Sequence, residues 1–219
     1  MNDTENILIS VVIPTFNHAE FLRKAINSVL NQTYTKFEII IIDNYSTDHT
    51  KEVIESFDDL RLKFYQIKNN GVIAYSRNYG VEVSSGEWVA FLDSDDYWYP
   101  SKLESFSRSL DSNHKYDVLS SHEYKFNSST GKKKKLMYGP LNSDKYRSLL
   151  VYGNRLSPSA TAVRKDFVTK HNIRFNEREE FITVEDYDYW LQLAYVDANF
   201  KFIHEFGGEY LVHAENSSG

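Results

Sequence analysis

The run Ile7-Leu8-Ile9-Ser10-Val11-Val12-Ile13-Pro14 decides the fold class. Its residues are β-branched and apolar almost without a break, as in a strand buried on both faces, and Pro14 is expected to end it. Helical spacing follows at once: Phe21, Leu22, Ala25, Ile26, Val29 and Leu30 recur on one side of a helix over residues 19–30. A second strand over 37–42 stops at Asp43. Ser46, Thr47 and Asp48 then offer caps for a helix reaching residue 57. A third strand at 62–67 closes on Asn69-Asn70-Gly71, and a helix interrupted by Gly80 occupies 72–83. A fourth strand at 87–92 stops at Asp93. Such alternation predicts right-handed crossovers and an α/β fold, with a mostly parallel, Rossmann-like sheet and helices on both faces.

The second half is less regular. Pro100 suits the first turn of a helix carrying Leu103, Phe106 and Leu110. Segments 117–126 and 132–138 have the form of a hairpin, and short helices fit 143–150 and 165–171. A longer helix fits 185–196, and strands fit 200–204 and 209–213. With 219 residues, no repeat and no linker, the chain has the size of one domain. Acids outnumber bases by 31 to 25, which argues against a general nucleic-acid binder. The lack of cysteine excludes disulfide scaffolds, Cys-ligated zinc and thiol catalysis. Residues 1–5 are polar and acidic, unlike a signal peptide, and no apolar run approaches the ~20 residues of a membrane helix. A cytoplasmic location is the expectation.

Each strand of the first half ends in polar groups: Thr15 and Asn17, Asp43 and Asn44, Asn69 and Asn70, then Asp93, Asp95 and Asp96. In an open parallel sheet these ends share one edge, where such folds bind ligands. No glycine follows the first strand, so a dinucleotide site is not expected, and the glycine-lysine signature of a phosphate-loop NTPase is missing. Three carboxylates within Asp93-Ser94-Asp95-Asp96 repel one another unless a cation sits among them, which points to Mg²⁺ or Mn²⁺. The competing explanation is an N-cap for the Pro100 helix. Glu185-Asp186 opens the late helix, where acids also serve the helix dipole. Helical spacing sets Glu185 with Asp188 and Gln192 on a wet face. It sets Asp186 near Tyr189, Trp190 and Leu193, where partial desolvation favours a general base.

With these motifs the chain resembles the family 2 glycosyltransferases of the GT-A fold. Six segments carry the resemblance in order. They are Val11-Val12-Ile13-Pro14-Thr15-Phe16-Asn17, then Asp43-Asn44-Tyr45-Ser46-Thr47-Asp48, then Asn70-Gly71 with Ser76-Arg77-Asn78-Tyr79-Gly80. Phe91-Leu92-Asp93-Ser94-Asp95-Asp96 with Trp98, Glu185-Asp186-Tyr187-Asp188-Tyr189-Trp190-Leu191 and Tyr210-Leu211-Val212-His213 complete the set. The resemblance implies one domain, with a nucleotide-sugar half at 1–110 and a smaller acceptor half at 111–219. It implies that Thr15 and Asn17 border the nucleobase, with Asp43 accepting a hydrogen bond from it. Arg77, Asp93 and Ser94 belong to the nucleotide-sugar site; Asp95, Asp96 and His213 hold Mn²⁺ or Mg²⁺ on the diphosphate. Asp186 is the implied base of an inverting transfer, with Trp98 and Glu185 beside the substrate.

The donor implied is a UDP-, dTDP- or GDP-sugar, and the acceptor a glycan or lipid-linked glycan of bacterial surface polysaccharide assembly. Lys132 to Lys135 form a solvated hairpin arm, or a contact with the inner face of the membrane at about 1 kcal/mol per lysine. A homodimer stays open. Asn44, Tyr45, Gln192 and Leu211 depart from the family pattern. Two other functions compete: a non-catalytic nucleotide-sugar-binding module, and a sugar-1-phosphate nucleotidyltransferase, whose glycine-rich basic loop is missing at residues 15–20.

Overall fold

A computed structural model describes residues 7–110 and 115–213; the polar stretch at 1–5 lies outside the described residues. The first half runs β1 (Ile9–Thr15), α1 (Ala19–Leu30), β2 (Phe37–Asp43), α2 (Thr50–Glu55), β3 (Leu62–Gln66), α3 (Ile73–Val83) and β4 (Trp88–Phe91). Its strands lie in the order β3-β2-β1-β4 and all are parallel. The second half supplies β5 (Tyr97–Trp98), α4 (Lys102–Ser107), β6 (Val118–Asn127), β7 (Lys133–Leu136) and α5 (Lys145–Tyr152). It continues with β8 (Thr161–Arg164), α6 (Lys165–Lys170), α7 (Glu185–Tyr195) and β9 (Phe200–Val212). These strands extend the same sheet as β4-β8-β6-β9-β5, with β8 antiparallel to both neighbours and β7 paired with β6. The whole is an α/β fold on a mostly parallel sheet.

Alternate residues of the central strands face two helical layers. Val11, Ile13, Ile39 and Ile41 share a core with Leu22 and Ile26 of α1, Ile54 of α2 and Leu103 of α4. Val12, Ile40 and Ile42 share the other with Ala74 of α3, Leu149 of α5, Val168 of α6 and Trp190 of α7. Burial on both faces is why these strands read as continuous apolar runs. Gly80 is the contact point of α3 on β1. A Cβ there would stand 2.3 Å from Val12 Cγ1, so the glycine that weakens the helix signal is what lets the helix approach.

Two expectations are corrected, and one is extended. Pro14 does not end β1; it pairs with Ile42 of β2. On its other side the pairing with β4 has stopped at Val12 and Phe91, so its missing N–H leaves no gap in the ladder. The strands expected at 200–204 and 209–213 are one strand, carried through Gly207 and Gly208 with a register shift against β6. β5 and β8 are too short to show a period. Asp48 does more than cap one helix: its carboxylate accepts the Thr50 N–H of α2 at 3.0 Å and the Ala19 N–H of α1 at 3.2 Å. It thereby satisfies the starts of two helices at once.

Candidate active site

The carboxyl edge of the parallel strands collects the predicted groups. β1 ends at Thr15, β2 at Asp43, and β4 leads into Asp93, Ser94, Asp95 and Asp96. The facing wall comes from α3, one turn into which lies Arg77, and from the first turn of α7, which carries Glu185 and Asp186. Between them is a cleft of about 360 Å³ lined by Arg77, Asp93, Ser94, Asp95, Glu185, Asp186 and Tyr210, with Leu156, Ser157 and Pro158 on the same wall. A hollow of about 260 Å³ shares His18, Ser94 and Asp95 with it and adds Thr15, Phe16, Asn44 and Asn69. A larger groove of about 610 Å³ lies by residues 85–88 and α6, at the amino end of β4. None of the predicted site residues lines it.

Arg77 is the electrostatic centre. It is 3% exposed, and its guanidinium donates to Asp93 Oδ1 and to Glu185 Oε1, each at 2.7 Å. Burial works against its charge, but Asp93 and Glu185 outweigh it and push the Arg77 pKa up. Glu185 is therefore not on a wet face: it is 7% exposed, because the first turn of α7 packs where Arg77 supplies a counter-charge. Asp188 and Gln192 stay partly exposed, with the Gln192 amide donating to Asp188 at 2.7 Å. The Asp93 N–H donates to Ser159 Oγ at 3.0 Å, which fixes the turn after β4.

The other acids have unequal surroundings. Asp95 Oδ2 lies 3.1 Å from His213 Nε2, and burial and then Asp93 raise the Asp95 carboxyl, while His213 opposes them. His213 is stacked on Phe21 at 4.5 Å, so β9 delivers a braced imidazole to the acid. Asp96 is turned inward: its Oδ1 accepts the Leu211 N–H at 2.9 Å, and it is 3% exposed. Burial, with Asp95, Glu123 and Asp93 nearby, pushes its carboxyl well up. Behind it stands Lys102, fully buried, donating to Ser121 at 2.9 Å and pushed down to about 8 by burial. Asp96 thus ties the end of β9, and with it His213, to the acid turn. Asp186 carries a raised carboxyl; burial is the main cause, Glu185 adds to it, and Arg77 opposes it.

Three expected contacts are rearranged. Asp43 is fully buried, and its oxygens accept from the Ser46 N–H and hydroxyl and from the Gln66 amide, so it braces a turn behind the hollow. Asn17, exposed and at φ 52°, accepts the Thr47 N–H at 2.7 Å and links the two loops. Trp98 is fully buried and donates from its indole to the Ser159 carbonyl at 2.8 Å; it is core. The departures in the second motif are accommodated. Tyr45 takes φ 54°, in the left-handed region that glycine adopts most readily, and Asn44 Oδ1 accepts the Asn69 N–H at 2.9 Å.

Sequence reasoning missed His18, whose Nδ1 lies 3.0 Å from Ser94 Oγ, and Asn154, whose amide donates to Asp186 Oδ2 at 3.0 Å. His18 follows a strand end and so was within reach of the rule applied there. Asn154 was signalled only by Gly153 at the end of α5. Among the described residues, no three acid or imidazole side chains form a ready metal cage, and no helix is long and apolar enough to cross a membrane.

Parallel strands ending on one edge, an acid turn after β4 and an acid pair opening α7 form the candidate site of an α/β fold of the GT-A type. The chain belongs to Glycosyl transferase family 2, whose model matches residues 10–173. Over 99 residues it is 37% identical to the putative teichuronic acid biosynthesis glycosyltransferase TuaG of Bacillus subtilis, covering 44% of this chain and 39% of that protein. It resembles the crystal structure of S. aureus TarS 1-349 in complex with UDP-GlcNAc, with TM-score 0.77, 25% identity and coverage of 96% of this chain and 60% of that one. In fold it is also similar to the mannosyltransferase PcManGT of Pyrobaculum calidifontis, solved with GDP-Man and Mn²⁺, at TM-score 0.70 and 17% identity, covering 95% and 58% of the two chains. The aligned region spans only 31% and 17% of the length of two other curated relatives.

Proposed function

We propose that the chain transfers a sugar from a nucleotide-diphosphate sugar to an acceptor hydroxyl with inversion, using Asp186 as base, in the assembly of a bacterial surface polysaccharide. The observation that carries this is the position of Asp186: a partly desolvated carboxylate on the cleft wall opposite the acid turn of Asp93 and Asp95. As the acceptor oxygen bonds to the anomeric carbon, the bond from that carbon to the diphosphate oxygen breaks, and the hydroxyl proton passes to Asp186. Thr15 borders the nucleobase from the smaller hollow, while Asp93 and Ser94 hold the sugar-nucleotide, with Arg77 fixing Asp93. Residues 1–110 then act as the nucleotide-sugar half and 111–219 as the acceptor half. The likeness to TuaG supports the polysaccharide setting, and the likeness to TarS with UDP-GlcNAc supports UDP as the first donor to try. A cytoplasmic location, with the exposed lysines of β7 toward the inner membrane face, completes the proposal.

The residues fit a hard divalent cation. Asp95 and His213 offer an oxygen and an imidazole side by side, and the Asp95 carboxyl is raised by burial and by Asp93, a load that a cation relieves. Bound there, Mn²⁺ or Mg²⁺ would neutralise charge on the departing diphosphate. Calorimetry with UDP, GDP and dTDP, with and without Mn²⁺, tests this. One nucleotide is expected to bind at least tenfold more tightly with metal, and Asp95→Asn to lose that gain. No metal-dependent binding in the panel would sink the proposal.

A further inference from the structure

The two oxygens of Asp186 have different partners. Oδ1 accepts the Tyr187 N–H at 2.6 Å, and Oδ2 accepts the side-chain amide of Asn154 at 3.0 Å. Asn154 is exposed and follows Gly153, whose φ of 77° turns the chain out of α5 toward the cleft. Its own Oδ1 accepts the Leu156 N–H at 3.2 Å, and Leu156 is 3% exposed, so the turn is anchored in the core. That bond settles which end of the amide meets the acid: with the oxygen committed, the NH₂ group faces the carboxylate.

We propose that Asn154 is a positioning residue for the base, holding Asp186 Oδ2 so that the carboxylate stays ionised and in one orientation. This rests on Asp186 being the base. The charges facing Asp186 are Arg77 from α3, which favours the ionised form, and Glu185 on its own helix, which opposes it. Asn154 reaches Asp186 from a different element, the turn after α5, and it is neutral, so it directs the carboxylate without adding a charge beside it.

The test is a carbon-13 NMR titration of the Asp186 carboxyl in the whole protein, the resonance being assigned by its loss in Asp186→Asn. Removing a hydrogen bond to an ionised group is expected to raise the midpoint in Asn154→Ala by about one pH unit. Asn154→Asp, which sets a like charge against Asp186, should raise it further. A role confined to loop folding would lower stability without moving this midpoint. An Asn154→Ala midpoint equal to that of the wild type overturns the proposal. Failure of the base assignment shows separately, as full sugar transfer by Asp186→Asn, and leaves the titration result standing.

Discussion

Asp186→Asn is expected to lower turnover by about 10²–10⁴-fold, the range supplied by a positioned general base, while leaving nucleotide affinity near the wild-type value. The substitution keeps the volume but leaves one acceptor oxygen where Asp186 has two, and it removes proton acceptance. A base works only when ionised, and the Asp186 carboxyl is raised above its ordinary 3.8, chiefly by burial. Wild-type kcat/KM should therefore rise with pH through a midpoint above that value, and the acidic limb should vanish in the variant. Stability should move the other way. A carboxyl whose folded pKa exceeds its unfolded one binds protons more tightly when native, so ionised Asp186 costs stability at neutral pH. The variant should melt no lower than the wild type. Inactivity with an unchanged or raised Tm separates a lost base from a lost fold.

Arg77→Leu should have the largest effect on stability. The guanidinium is 3% exposed and answers two acids at once, with the Asp93 and Glu185 side chains 25% and 9% exposed. Removing one partner of a buried ion pair leaves an uncompensated charge and costs about 3–5 kcal/mol. For a domain of this size that corresponds to a fall in Tm of about 10 °C. The same loss loosens Asp93 at the end of β4 and the first turn of α7, so donor binding and transfer should fail together. Arg77→Lys keeps the charge but lacks the fork that reaches two carboxylates, so it should restore only part of the stability. A melting curve followed by circular dichroism checks both, and a wild-type Tm in Arg77→Leu would show that the bridge is not what holds the two halves of the wall.

Much of the first half was legible because its strands are buried on both faces and its helices on one. The 19–30 helix is found at Ala19–Leu30, and the polar strand ends meet on one edge as expected. What escaped depends on neighbours distant in sequence. β8 has four residues and enters antiparallel between β4 and β6, a position set by pairing and not by period. Glu185 looked wet because helix spacing describes its own helix and cannot include Arg77, 108 positions earlier. Trp98 lies next to the acid turn in sequence, yet β5 turns it into the core, where its N–H finds the Ser159 carbonyl. Asp96 and Asp95 are adjacent, but only Asp95 lines the cleft, since the turn after β4 sends Asp96 inward, where its carboxylate accepts the Leu211 N–H. Tyr45 reverses the case: a departure that put the turn in question is absorbed by a left-handed backbone.

The central claim is that the sugar-nucleotide and its cation meet at the carboxyl edge, within reach of Asp186. Crystals grown with UDP and Mn²⁺, with the metal located by its anomalous scattering, test it most directly. The account predicts one strong peak beside Asp95 and His213, with the diphosphate in the cleft lined by Asp93 and Asp186. A nucleotide seated instead in the groove beside α6, or a peak away from Asp95, would contradict it.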